Sequence, residues 1–245
     1  MIRLDADRWL SELMALDAYR VSGALAAQEM EAAASEVRGI AAQPSFAYAR
    51  IGSADLTTVQ SLEALGFHIV DTNVTLETTV LSQRSDGRSV ARAARPDDAQ
   101  AVEQIARTSF EVSRFHLDPR LRPGLAHEIK AQWAANFFRG QRGDFMIVAE
   151  SEGVVAGFLQ LLMTADSVLV IDLIAVARPY RGRGLATAMI RHAARTCGKP
   201  AKLRVGTQVA NVGSLALYQR MGFEIIASAY VLHFHGGAQS AGGVH

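Results

Sequence analysis

The apolar run Val168-Leu169-Val170-Ile171-Asp172-Leu173-Ile174-Ala175-Val176 leads into Arg181-Gly182-Arg183-Gly184-Leu185-Ala186, which opens directly onto a helical pattern. A strand that ends in a glycine turn and starts a helix commits the chain to layered αβ packing. It also presents unpaired backbone N–H groups and the positive end of a helix dipole to whatever lies above the turn. Glycines let the backbone adopt left-handed dihedrals and come close to a ligand, so the turn reads as a phosphate seat. Neither Gly-x-Gly-x-x-Gly nor Gly-x-x-x-x-Gly-Lys-[Ser/Thr] is present across it. Taken alone, the hexapeptide also reads as an arginine-rich helix start with a glycine cap.

Around this unit, apolar periodicity and turn residues predict further elements. Helices are expected over 4–16, 24–42, 55–65, 97–108, 124–138, 184–197 and 211–221, with strands over 45–51, 68–76, 90–94, 144–150, 154–163, 168–176, 201–207 and 223–234. The polar stretch 82–89 is the candidate linker between domains spanning 1–81 and 90–235, and the glycine-rich tail 236–245 is expected to be disordered. A weak repeat runs across the linker: Gly66-Phe67-His68-Ile69 recurs as Gly222-Phe223-Glu224-Ile225, an offset of 156 positions at which Leu65 meets Met221 and Leu76 meets Leu232. The first copy has Leu62 where the second has Tyr218, and no glycine-rich turn precedes it. Chance recurrence of Gly-Phe before a strand would give the same pattern.

Composition narrows the function. The 25 Lys and Arg against 24 Asp and Glu leave a net charge of +1, no field for steering nucleic acid. Asp5, Asp7, Glu12 and Asp17 interrupt the N-terminal apolar pattern, and the 168–176 run is too short to cross a bilayer. A soluble, cytoplasmic protein without membrane partners is the expectation. Cys197 is the only cysteine, which excludes an internal disulfide and a thiolate cage. No His-x-x-x-His or carboxylate cluster has metal spacing, so no metal is expected. His192, His233 and His235 read as packing or surface residues.

Downstream of the glycine turn come Leu203-Arg204-Val205-Gly206-Thr207, Asn211, and Tyr218-Gln219-Arg220-Met221-Gly222-Phe223. Together with Ile174-Ala175-Val176 and Arg181 to Ala186, these pieces resemble, in order and spacing, the Gcn5-related N-acetyltransferases (GNAT), although Arg178-Pro179 shifts the usual proline by one position. Within that family, Ser113-Arg114-Phe115-His116, the patch from Gln132-Trp133 to Arg139-Gly140, and 203–208 look like the dTDP-4-amino-sugar acetyltransferases. The resemblance implies an α/β (α+β) GNAT fold with a mixed, mostly antiparallel sheet flanked by helices. The N-terminal third would then be a truncated, coenzyme-free copy. The implied reaction is acetyl transfer from acetyl-CoA to a small-molecule amine, either a nucleotide-linked amino sugar or another small amine, amino acid or protein N-terminus; a non-catalytic acyl-CoA sensor is the other reading, and the family is often dimeric.

Site residues follow from the same resemblance. Backbone at Ile174, Ala175 and Val176 would pair with the pantetheine, while Arg181, Gly182, Arg183, Gly184, Leu185, Ala186 and Thr187 would cover the pyrophosphate. Asn211 would touch the coenzyme besides capping its helix. Tyr218 is the candidate general acid, since a phenol is protonated at neutral pH and can donate to a departing thiolate. Core packing is the other reading of that residue. Asp172 alternates with Val170 and Ile174 on one strand face, as either a general base or a salt-bridged core carboxylate. Arg114, Phe115 and His116 are the expected acceptor contacts. Arg114, Arg120 and Arg122 are candidates for an acceptor diphosphate, or simply a solvated basic loop.

Overall fold

The computed structural model describes residues 3–23, 30–79 and 90–237; the linker proposed at 82–89 lies outside them. Of the tail expected from 236, only Gly236 and Gly237 are described, and Gly236 ends a strand opposite Ser45. The elements in chain order are β1 (Arg3–Ala6), α1 (Arg8–Met14), β2 (Asp17–Ser22), α2 (Met30–Ala41), β3 (Ser45–Gly52), α3 (Leu56–Ala64), β4 (His68–Thr78), β5 (Ala91–Ala93), α4 (Ala99–Ser109), α5 (Leu125–Phe138), β6 (Phe145–Ser151), β7 (Val154–Met163), β8 (Val168–Val176), α6 (Leu185–Thr196), β9 (Lys202–Gln208), α7 (Val212–Arg220) and β10 (Glu224–Gly236). They divide into two compact units, one of residues 1–73, 117–120 and 228–245, the other of 74–116 and 121–227.

In the first unit β1 pairs antiparallel with β2, β2 parallel with β3, and β3 antiparallel with β10. Val37, Ile40, Ala47, Val59, Leu62, Phe67 and Leu232 form its core. One expectation holds only in part, because the stretch read as a single helix over 4–16 is strand as far as Ala6 and helix only from Arg8 to Met14. Asp7 stops the helical pattern from extending backward, its carboxylate accepting the Leu10 N–H at 3.0 Å as an N-cap. Ala15, at φ 55°, ends the helix one residue after Met14. Leu4 then packs on the core from an extended backbone, a side chain that 3.6-residue spacing had placed on a helix face.

The second unit carries the sheet order β4-β9-β8-β7-β6-β5, in which β5–β6, β6–β7 and β7–β8 pair antiparallel and β8–β9 parallel. Helix α6 covers one face through Leu185, Met189, Ile190 and Ala193, an i, i+4, i+5, i+8 stripe. Helices α4 and α5 cover the other face with Val102, Ile105, Ala106 and Ala134. Covered on both sides, β8 reads as a continuous apolar run rather than an alternating one. Cys197 is buried at the end of α6, and burial raises its thiol pKa. The mixed αβ architecture is the one the sequence led us to expect.

Candidate active site

Strand β8 stops pairing with β9 halfway along. The parallel register runs only from Val168 opposite Lys202 to Ile171 opposite Val205, while on the other edge β7 follows β8 as far as Val176 opposite Gly157. The change comes at a bulge: Ile171 faces Leu161 and Leu173 faces Gln160, which leaves Asp172 as the extra residue. Side-chain directions shift with it. Leu169 and Ile171 pack on the α6 face and so do Ile174 and Val176, whereas Leu173 and Ala175 join the α4–α5 face. Asp172 therefore does not share a face with Ile174 as strict alternation predicted, because one bulged residue advances the pleat by one step.

Beyond the bulge, no strand among the described residues pairs with the second edge of β8. A cavity of about 820 Å³ opens there, lined by residues 171–176, 205–208 and the start of α6, among others. An extended ligand bearing amides can hydrogen-bond to such an edge as an added strand would. The glycine turn stands at the same cavity. Gly182 and Gly184 both have φ near +77°, and a Cβ at either would meet nothing within 4 Å, so it is backbone conformation rather than space that requires glycine. Gly184 is the N-cap of α6 and brings no side chain to cap it, leaving the N–H groups of Leu185, Ala186 and Thr187 without intrahelical acceptors. All three residues line the cavity.

The two arginines of the turn do different things. Arg181 lines the cavity and braces it, donating to the Val176 carbonyl at 3.1 Å and the Ser109 carbonyl at 2.9 Å. Arg183 is absent from the lining; its guanidinium pairs with Glu152 and lies over the Tyr180 ring, 5.2 Å from the centroid.

Asn211 caps α7, its Oδ1 accepting the Ser214 N–H at 3.2 Å, and it also lines the cavity. Tyr218 is 2% exposed, packs its ring 5.4 Å from that of Phe223, and reaches the same cavity. Its hydroxyl has no hydrogen-bond partner among the described residues, and burial raises its pKa well above the ordinary phenol value. A proton donor held neutral and unengaged at a cavity wall can serve a ligand.

Asp172 is already occupied. Its Oδ2 accepts from Trp133 Nε1 at 2.8 Å, Arg142 Nε at 2.7 Å and Gln160 Nε2 at 3.1 Å, and its Oδ1 accepts from Arg142 Nη2 at 2.6 Å. Of its two sequence readings, this geometry fits the salt-bridged core carboxylate, since proton abstraction would break a bidentate ion pair. The cavity is also lined by Lys130, which periodicity had placed on a helix without assigning it a role. Lys130, Trp133, Arg142 and Gln160 come from α5, the loop after it and β7, and no local motif links them.

The expected acceptor residues Arg114, Phe115 and His116 are not in the cavity lining, which in their own loop stops at Ser113. Phe115 is buried beneath the Arg114 guanidinium, 4.4 Å from its ring centroid. His116 bonds Ser113 at 2.7 Å and His127 at 3.4 Å; burial, then His127 and Lys130, push its pKa down to about 4. Arg122 pairs with Glu128 at 2.8 Å, and Arg120 belongs to the segment 117–120 of the first unit.

That first unit holds a different polar group. Asp118 Oδ2 accepts from His233 Nδ1 at 2.7 Å and His235 Nε2 at 2.8 Å, and its Oδ1 accepts the Arg120 N–H at 3.0 Å. Burial raises the carboxyl pKa, yet these hydrogen bonds outweigh it and hold Asp118 below the ordinary carboxylate range. Chain spacing could not reveal three potential metal ligands gathered within 4.8 Å. The 2.7 and 2.8 Å contacts are hydrogen-bond distances, shorter than the roughly 3.3 Å between two ligands on one zinc with bonds of about 2.0–2.1 Å.

Comparison with known proteins agrees with this architecture. The chain is 35% identical over 147 residues to the spore coat polysaccharide biosynthesis protein SpsD of Bacillus subtilis, an alignment covering 59% of this chain and 50% of that protein. It is 29% identical over 189 residues to the dTDP-fucosamine acetyltransferase of Escherichia coli O6:H1, covering 76% and 80%. The chain thus spans about half the length of the first relative and most of the second. The fold matches the crystal structure of a GCN5-related N-acetyltransferase from Sphaerobacter thermophilus, with a TM-score of 0.64 at 16% identity over 96% of this chain and 76% of that one. Among the described residues no helix is long and apolar enough to cross a membrane. The profile of the acetyltransferase (GNAT) family matches residues 99–223, just over half the chain, and this protein belongs to that family.

Proposed function

We propose that this chain transfers the acetyl group of acetyl-CoA to a primary amine by direct attack, and that the amine is borne by a nucleotide-linked amino sugar. The observation that carries the reading is one cavity meeting three features: the unpaired edge of β8 after Asp172, the uncapped start of α6, and the unengaged hydroxyl of Tyr218. Backbone at Ile174 to Val176 takes the pantetheine amides. Gly182, Gly184 and the N–H groups of Leu185 to Thr187 take the pyrophosphate, where the helix dipole favours anions. Asn211 borders the coenzyme. The amine nitrogen bonds to the thioester carbon, the carbon–sulfur bond breaks as Tyr218 supplies a proton to the departing thiolate, and the proton shed by the nitrogen passes to solvent, from which the tyrosine is reprotonated. Asp172 keeps its ion pair throughout and positions Trp133 and Arg142.

The acceptor class is supported by the two curated relatives, whose names concern polysaccharide biosynthesis and dTDP-fucosamine. In this reading the first unit holds no coenzyme, since Leu62 stands where the second copy has Tyr218. Calorimetry with acetyl-CoA and thiol release with dTDP-4-amino sugars beside simple amines test the proposal. One coenzyme per chain and turnover favouring the nucleotide sugar are expected. Gly184→Val forces a β-branched residue into a left-handed conformation and should abolish acetyl-CoA binding with the circular dichroism unchanged. Undiminished affinity in that variant, or a second coenzyme per chain, would overturn the assignment.

A further inference from the structure

Lys130 lies in the second turn of α5, nine-tenths buried, and lines the cavity. Its ammonium nitrogen is 4.9 Å from the Phe110 ring centroid and 4.8 Å from that of Trp133. No acceptor among the described residues hydrogen-bonds to it. The charges acting on it are Arg114, Arg142 and Asp172, and the Asp172 oxygens are already taken by Trp133, Arg142 and Gln160. His116 is nearby but neutral at pH 7. One carboxylate thus faces three cations.

Magnitudes decide what this means. Contact with two aromatic faces offsets only part of the cost of taking an ammonium out of water. A buried cation left this far short of compensation points to an anion that arrives with a ligand.

We infer that Lys130 is the binding residue of an anion seat inside the cavity, with Arg114 and Arg142 supplying the surrounding field, and that the seat takes a carboxylate or phosphate carried by the acceptor. Calling the ligand an acceptor rests on the transfer reading above; the seat itself does not. The same field disfavours an incoming ammonium, so the acceptor amine enters as its nucleophilic free base without a dedicated base.

The test is calorimetry on the full chain with dTDP and, separately, with glucuronate, comparing wild type, Lys130→Met and Lys130→Arg. Methionine replaces a buried charge at similar volume, a change that is often neutral or stabilising, and circular dichroism checks the fold. A charge-assisted contact of about 1.5–3 kcal/mol corresponds to roughly a 10- to 150-fold loss of affinity in Lys130→Met, partly recovered in Lys130→Arg. Acetyl-CoA affinity should stay within about twofold on this account. Loss confined to dTDP identifies the anion as the nucleotide phosphate; loss confined to glucuronate identifies it as a sugar carboxylate. The inference is overturned if neither anion binds the wild type, if both bind Lys130→Met as tightly as wild type, or if acetyl-CoA weakens as much as the anion. A chain that shows Lys130-dependent anion binding but no thiol release would keep the seat and lose the transferase reading.

Discussion

The segments 55–67 and 211–223 are built alike and used differently. Asp55 caps α3 by accepting the Thr58 N–H at 3.1 Å, and Asn211 caps α7 by accepting the Ser214 N–H at 3.2 Å. Both helices end ahead of a left-handed glycine, Gly66 at φ 94° and Gly222 at φ 85°, and in both the following phenylalanine N–H returns to a carbonyl five residues back, Leu62 or Tyr218, at 3.0 Å. At matched positions Leu62 is 0% exposed and Tyr218 2%, yet only the second has a hydroxyl, and it reaches a cavity. The backbone device is indifferent to chemistry; a phenol in place of an isobutyl side chain at the buried position separates a packing residue from a candidate donor. The two units' charged clusters contrast in the same way. Asp118 is closed on two imidazoles and an amide, while Lys130 is held only by ring faces.

The comparison breaks most visibly if Leu62 matters to turnover. Leu62→Ala should cost about 2–5 kcal/mol of stability by opening a cavity, with acetyl-CoA affinity unchanged in folded protein. Denaturant titration beside calorimetry checks this, and lost coenzyme binding in folded protein would contradict it. Tyr218→Phe is the counterpart: ring packing stays, and the turnover number should fall roughly 10²-fold with little change in the acetyl-CoA Michaelis constant. Weaker coenzyme binding at unchanged turnover would make Tyr218 a binding contact instead.

The charged clusters sharpen the contrast through pH. Burial, then Arg114, lowers the Lys130 pKa to about 8, Arg142 adding to this and Asp172 opposing it. Between about 8 and about 10.4 the unfolded chain binds the extra proton, so this residue makes stability rise with pH across that window. Lys130→Met should remove the rise. Asp118 gives a slope of the same sign at the acid end, but there the ionised group stabilises the fold. Its folded pKa is depressed, so its contribution is full above about 4 and is lost as pH falls below that, and Asp118→Asn should flatten the acid limb. Denaturant midpoints measured across pH for the two variants test both windows. The smallest effects belong to the caps. Asp55→Ala and Asn211→Ala should each cost about 1 kcal/mol, and only the second should also weaken acetyl-CoA binding.

Much of this was legible along the chain because the relevant physics is local. Periodicity located nearly all the helices and strands of the second unit, and the glycines of 181–184 and the cap at Asn211 depend only on their immediate neighbours. The misread helix over 4–16 marks the limit. Four residues of β1 carry too few side chains to reveal a period, and they are extended only because β2 pairs with them.

Strand, turn and helix start were thus set by backbone rules acting within a few residues, and the start of α6 at Gly184 is legible from its immediate neighbours alone. The bulge at Asp172, the open edge beyond it and the ion pair that occupies its carboxylate arise from register against β7 and from side chains 12 to 39 residues distant. The exposed-looking Arg183 turned to Glu152, and the unremarked Lys130 became the buried cation at the cavity wall. Desolvation and charge compensation depend on which groups the fold brings together, so neither could be assigned until tertiary packing had chosen the neighbours.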